Sequence, residues 1–524
     1  MNTAFIRPAR PGVLLRDPAT GEAIPPEGAL VTLSGTRAFW LRRVKDGDAE
    51  LCAEKPAEKA AATPVMEWRV LILGAAEADC QGPLMAPSLV TSADQAARLW
   101  GQGSMIASMF RAAKRQGGLL ETWGLAVPDP EAAIAATGGV TVSGACSRSG
   151  LISLYIGGER VRVVAQPGEE PATIAGRLAQ AINANGELPV LAQARAEKPG
   201  SILLTCRWKG ATGNDIDLRV NYASDDELPR GLMVSCEAMS GGAGAPEMAE
   251  VIAALGDTWW KALASPWLAK AERDLLEEWL DTQFGPLRQQ ECQVFGSFRG
   301  TLAEASAFGN AGNSELVSVM ALGASPSSPW DMAAAYALTA ATSLADDPAR
   351  PLQTLELTGI KAPAREDRWN MEERNILLFD GMATYMVASD DTVQIEREIT
   401  MYQKNTWGMD DPSYLDVQTP ATLGYWRYAV RSRITQKFPR CKLADDGTRY
   451  GAGQAVVTPS VIRAELVALH AELEEKGLLE NAEAFKAGLV VERNKDDRNR
   501  LDVVATPDLV NQFRIFAMQT RFIL

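Results

Sequence analysis

Catalytic chemistry has little material in this chain, and its sole histidine, His470, sets the limit. A Ser-His-Asp relay needs an imidazole between a hydroxyl and a carboxylate. His470 falls in the middle of a predicted helix among Glu465, Glu472, Glu474 and Glu475, where a solvated or packing role is the simpler reading. No GxSxG elbow and no GxxxxGK[ST] phosphate loop occurs. Gly241–Gly244 (GGAG) is followed by no Lys and has no strand-to-helix setting, so it reads as a linker. The carboxylate pairs Asp225/Asp226, Asp346/Asp347, Asp410/Asp411, Asp445/Asp446 and Asp496/Asp497 each sit beside Pro, Gly or other charges, as in turns. The last pair, within NKDDRN (Asn494–Asn499), lacks the ligand count and the Gly of a calcium loop. Seven scattered cysteines with no CxxC pair read as reduced thiols, not as a disulfide framework or a zinc site. These patterns predict no catalytic residue, no metal and no cofactor.

Composition narrows the partners. Lys and Arg number 52 against 66 Asp and Glu, a net charge of −14, and no basic run offsets it, so nucleic acid is not an expected partner. A hydrophobic content of 46% and a charged content of 23% match soluble globular domains. No stretch approaches the roughly 18 apolar residues of a membrane span. The start, MNTAFIRPARPG, has no apolar core of a secretory signal, so no membrane insertion and synthesis in the cytoplasm are expected.

The elements predict a multidomain α/β protein. Residues 1–52 read as a small domain of short strands and turns around Phe39-Trp40-Leu41, and 53–67 as a linker rich in Ala, Lys, Glu and Pro. Arg69–Gly74 (RVLILG) is a continuous apolar run, as in a strand buried on both faces. Ser92 then caps a helix that reaches Lys114, and Glu121–Val127 is the next strand. Residues 138–242 switch to alternating strands, with Gly157-Gly158 as a hairpin turn and a helix from Pro171, and so read as a β-rich ββαββ insertion. Strand–helix alternation resumes in 243–373, so 68–137 and 243–373 share one mixed α/β core. Residues 374–510 form a C-terminal α+β domain with long helices at Thr419–Phe438 and from Pro459.

The last segment, 511–524, is an extended strand arm. Strand alternation puts Phe513, Ile515, Ala517, Gln519, Arg521 and Ile523 on one face and Arg514, Phe516, Met518, Thr520, Phe522 and Leu524 on the other. Both faces are largely apolar, so the arm is expected to be buried on both sides. It either closes its own subunit's sheet or adds a strand to a neighbour's.

From about Trp68 to Leu524 the chain resembles the contractile tail sheath proteins of Mu-like bacteriophages and prophages. The resemblance rests on RVLILG, on KGATGNDIDLRVNY (Lys209–Tyr222), on GDTWWKAL (Gly256–Leu263), on the long run Met382–Ile434, and on the closing VNQFRIFAMQTRFIL. Residues 1 to about 50 resemble a small tail-region protein of unknown function from Mu-like phages, through Arg16–Val31 and Phe39–Asp48. The extended N-terminal arm usual in the family is not found between Cys52 and Trp68.

The resemblance implies a non-enzymatic homo-oligomer. Its subunits stack as rings in a helix around a tail tube protein, meet baseplate and tail terminator proteins, and contract to drive the tube through the host envelope. It further implies that Phe513 to Leu524 exchange between subunits, and that the protein is assembled in the host cytoplasm and ends in the virion tail. The alternatives are a subtilisin-like hydrolase, or the sheath of a headless tail bacteriocin or secretion device.

Overall fold

The computed structural model describes residues 3–10, 13–25, 29–32, 36–52, 65–451 and 453–522. The chain forms two compact units. The smaller comprises Met1–Val65, Ala429–Ile462 and Arg493–Arg500, and the larger Met66–Tyr428, Arg463–Glu492 and Leu501–Leu524. Most of the expected linker, residues 53–64, lies outside the described residues.

In the smaller unit, strand Thr3–Pro8 lies between Ala29–Thr32 and Ala49–Cys52, antiparallel to both. Ile6, Leu15, Ile24, Val31, Trp40 and Ala49 form its core. Phe39-Trp40-Leu41, expected among short strands and turns, instead lies in the helix Arg37–Lys45. Aromatic residues suggest strand on propensity, but Trp40 and Val44, one turn apart, pack on the core, and Arg42, Arg43 and Lys45 suit the negative end of the helix dipole. Elsewhere in this unit Asp445 accepts from Arg493 (3.0 Å) and Arg498 (3.1 Å), at either end of the NKDDRN turn. Asn494 Oδ1 accepts from the backbone of Asp496 and Asp497, so the turn is held by its own side chains.

The larger unit is built on a six-stranded sheet ordered Val317–Ala321, Gln293–Phe298, Ala262–Ala264, Arg69–Ala75, Glu121–Val127 and Ser88–Leu89. The first five run parallel, and the last is a short antiparallel edge. Every residue of Arg69–Ala75 except Arg69 is buried, as a strand covered on both faces requires. The chain winds from Arg69–Ala75 to Glu121–Val127 on one side, then returns to Ala262–Ala264 on the other. Winding therefore reverses between these strands, and in open α/β sheets such a reversal opens a crevice at the carboxyl ends.

The helix expected to run to Lys114 is two helices, Ala93–Trp100 and Met105–Arg115. Gly101, at φ 98°, breaks it, and Ser104 caps the second piece as Ser92 caps the first. Helix and sheet touch closely at Gly74, where a Cβ would stand 2.8 Å from Ile106 Cα.

Helix Pro329–Asp346 is Ala-rich and buried on nearly every face. Its Asp331 is half-buried and accepts from Ser108 Oγ at 2.6 Å, and desolvation pushes its carboxyl up to about 6. A raised carboxyl pKa favours the folded state below the unfolded value near 4, and that advantage is lost as pH rises through 6. Asp331→Asn is therefore expected to stabilise the protein at pH 7 by about 1–3 kcal/mol. The gain should vanish near pH 4 when urea unfolding of the two proteins is compared; a difference independent of pH would contradict the assignment.

Residues 137–240 carry two antiparallel sheets. One has the order Val190–Ala194, Ser201–Cys206, Thr137–Gly144, Leu232–Ser240, and the other Leu218–Val220, Gly150–Ile156, Glu159–Ala165. Helix Pro171–Ala184 packs on them through Ile174, Leu178 and Ile182. Gly157 and Gly158 take φ of 56° and 86° between paired Ile156 and Glu159, the tight turn expected there. Further on come helix Met371–Phe379, the hairpin Thr384–Val387 with Val393–Arg397, and helices Gln418–Lys437 and Pro459–Glu475. No helix among the described residues is long and apolar enough to cross a membrane.

Candidate subunit-interaction site

The C-terminal segment is pinned and then released. Leu509 and Asp508 pair antiparallel with Leu479 and Glu480, and Val510 N donates to Leu478 O. Residues 510–522 belong to no strand. Phe513, Ile515, Phe516, Met518 and Phe522 are between 72% and 81% exposed, and Ala517 and Thr520 are exposed as well. Burial on both faces, expected from the alternation, is thus not found within the subunit. Ile523 and Leu524 lie outside the described residues.

Arg514 behaves differently from its neighbours. Its side chain is only 9% exposed, and Nη1 lies 2.6 Å from Glu398 Oε1. Its Nη2 lies 3.1 Å from both Asp416 Oδ1 and Gln418 Oε1. Glu398 is fully buried and also accepts from Gln418 Nε2 (2.6 Å) and Leu352 N (3.0 Å), while Arg397 pairs with Asp416 at 2.9 Å. Two guanidiniums therefore meet two carboxylates, which is what burial of charge demands. The cluster joins the end of strand Val393–Arg397, the start of helix Gln418–Lys437 and the root of the arm. Alternation alone grouped Arg514 with the arm's contacts, whereas the structure makes it the arm's anchor.

Glu398 and Asp416 were not singled out by their surroundings in sequence. One signal existed: Arg514 is the only charged residue from Val510 to Thr520. A lone charge in an apolar run needs a buried partner if it is to be covered.

His470 is fully buried, stacks on Phe485 at 4.1 Å between ring centroids, and places Nε2 3.2 Å from Glu480 O. It is a packing residue of the core. Among the described residues no group of three or more His, Cys, Asp and Glu is arranged to hold a metal ion.

Comparison with known proteins gives this architecture its class. A family model for the phage tail sheath protein central domain matches residues 241–401, and one for the phage tail sheath C-terminal domain matches 409–523. A model described as a protein of unknown function (DUF2635) matches residues 6–55, the expected N-terminal extension. The Mu-like prophage FluMu tail sheath protein of Haemophilus influenzae is 42% identical over 461 residues, 88% of this chain and 94% of its own. Among solved structures, the sheath tail protein of Listeria innocua is 12% identical with a TM-score of 0.45, covering 86% of this chain and 93% of that one. That of Desulfitobacterium hafniense is 11% identical with a TM-score of 0.43, covering 85% and 98%. The chain belongs to the phage tail sheath family, within its Mu-like branch. It is a subunit of a contractile tail sheath carrying an N-terminal extension.

Proposed function

We propose that the subunit polymerises helically around a tail tube by giving residues 515–524 to a neighbouring copy's sheet, and that it does so without catalysis, metal or cofactor. The observation that carries this reading is a run of large apolar side chains left in solvent beyond an anchored root. Covering each would contribute about 1.5–3 kcal/mol, and strand addition supplies main-chain hydrogen bonds besides. The hairpin Val490–Arg493 with Leu501–Val504 supports the reading from the acceptor's side. It has only two strands, exposes Val490, Val503 and Val504, and gains stability from a third strand. A head-to-tail joint that does not close on itself yields a helix.

Contraction on this reading is a passage between two packings of the same subunits, with anchored arms keeping neighbours linked while the cores turn. The tube, baseplate and terminator proteins are the partners, residues 138–240 face outward and 345–524 lie towards the tube. Assembly takes place in the host cytoplasm, and the product is part of a virion tail. Negative-stain microscopy of the purified chain is expected to show long striated cylinders, and Phe516→Asp with Phe522→Asp to abolish them. A chain that stays monomeric under every condition tried, or a double variant that still builds cylinders, would overturn the proposal.

A further inference from the structure

A cavity of about 590 Å³ opens at the carboxyl ends of Ala262–Ala264 and Gln293–Phe298, on the reversing side of the parallel sheet. Ala211, Thr212 and Asp215 of the inserted module line it, together with Gly244-Ala245 just beyond the module. Its volume is that of a small-molecule pocket, and Trp267, Leu268, Phe298, Phe308 and Trp330 supply apolar wall. Two helices begin at its rim, Lys270–Phe284 and Pro329–Asp346, of 15 and 18 residues. Neither has a side-chain cap: Ala269 offers none, and Ser328 does not use its hydroxyl. Uncapped helix starts direct backbone N–H groups and partial positive charge at whatever lies before them.

Two guanidiniums share the wall. Arg273 is 1% exposed, with Nη2 donating to Ala311 O at 2.6 Å and Nε 3.5 Å from Glu277, but Nη1 meets no acceptor. Arg299 donates through Nη1 and Nη2 to the carbonyls of Ser325 and Ser327, and its buried Nε meets none. Asp215 and Glu272 are the acids of the lining, and Glu277 lies behind Arg273. Glu272 Oε2 is also unmatched. A buried donor left unmade costs about 1–3 kcal/mol, more on a charged group, so these nitrogens call for an acceptor that the chain does not supply.

We propose that this cavity binds a small amphiphile whose oxyanion headgroup, a carboxylate or a phosphate monoester, accepts from Arg273 and Arg299 while its apolar body lies on Trp267, Phe298 and Trp330. Bound there, it would tie the inserted module to the parallel core. The site is a property of one subunit and does not depend on polymerisation.

The test is calorimetric titration of the purified full-length chain with hexanoate, hexyl phosphate, hexanol, hexylammonium and inorganic phosphate. One of the two six-carbon anions is expected to bind once per subunit, at least about tenfold more tightly than hexanol or hexylammonium, a margin in keeping with a charged hydrogen bond. The tighter of the two identifies the headgroup, and inorganic phosphate alone should bind more weakly for want of the apolar body. Arg273→Met should weaken the preferred anion at least about tenfold. Ala245→Phe, which places a large side chain in the cavity lining, should abolish binding, and it decides the matter should Arg273→Met fail to fold. No binding by either anion, binding no tighter than hexanol, or undiminished binding to a folded Ala245→Phe protein would each leave the cavity as a water-filled space and defeat the proposal.

Discussion

A chain ended after Phe516, two residues beyond its anchor, is expected to fold and melt like the full-length subunit yet form no cylinders. The residues removed, Ala517 to Leu524, include Met518 and Phe522, which stand more than two-thirds exposed and lie in no strand, so the subunit's own core loses nothing by their absence. Surface changes of this kind stay within about 0.5 kcal/mol. Assembly by the proposed strand exchange, in contrast, would lose both the apolar contacts and the backbone pairing of the joint. Urea unfolding and negative-stain microscopy of the same preparation separate the two effects. Cylinders formed by the shortened chain would show that the joint lies elsewhere.

Arg514→Ala is expected to do the opposite, damaging the subunit first and assembly as a consequence. The substitution leaves Glu398 fully buried without its guanidinium and Asp416 with Arg397 alone. Removing one partner of a buried ion pair costs about 3–5 kcal/mol. The lower end applies here, because Gln418 and the Leu352 amide still donate to Glu398. Replacing both partners by apolar residues, Arg514→Met with Glu398→Leu, should recover much of the loss, since no charge is then stranded. The shortened, non-polymerising chain is the background in which to measure this by urea unfolding. A cost below about 1 kcal/mol for Arg514→Ala would mean that the pair behaves as a surface ion pair and that the arm is rooted by Leu509 alone.

The parts of the fold legible in the sequence are those where one local signal suffices. Arg69–Gly74 announces a strand covered on both faces because Val70 to Gly74 leave no polar side to turn outward. Ser92, Pro171 and Pro459 mark helix starts through chemistry that belongs to the terminus itself. Gly157-Gly158 demands positive φ, and so fixes a hairpin. What stayed hidden depends on distant residues. The break at Gly101 arises where two helices must both meet the sheet, and the helix around Phe39 and Trp40 is set by the small sheet that it covers. Arg514 is the clearest case: its partners lie 116 and 98 residues away in sequence, at Glu398 and Asp416, and no periodicity connects them. The unmatched donors of Arg273 and Arg299 are of the same kind, because a missing partner is visible only once everything nearby has been placed.

Tension has a defined route into this molecule. A pull on Ile515 reaches Arg514, then Glu398, and one residue further Ile399, whose carbonyl accepts from Ser318 Oγ at 2.6 Å. Ser318 sits in the parallel strand Val317–Ala321 and shares a hydrogen bond with Tyr336 in the buried alanine-rich helix. From Asp416 the strain passes through Val417, whose carbonyl accepts from Gln293 at the head of the adjoining strand. Both branches end in the buried parallel sheet and the helix packed on it. In the proposed assembly, traction on an arm would therefore be delivered to the buried core of the subunit that donates it.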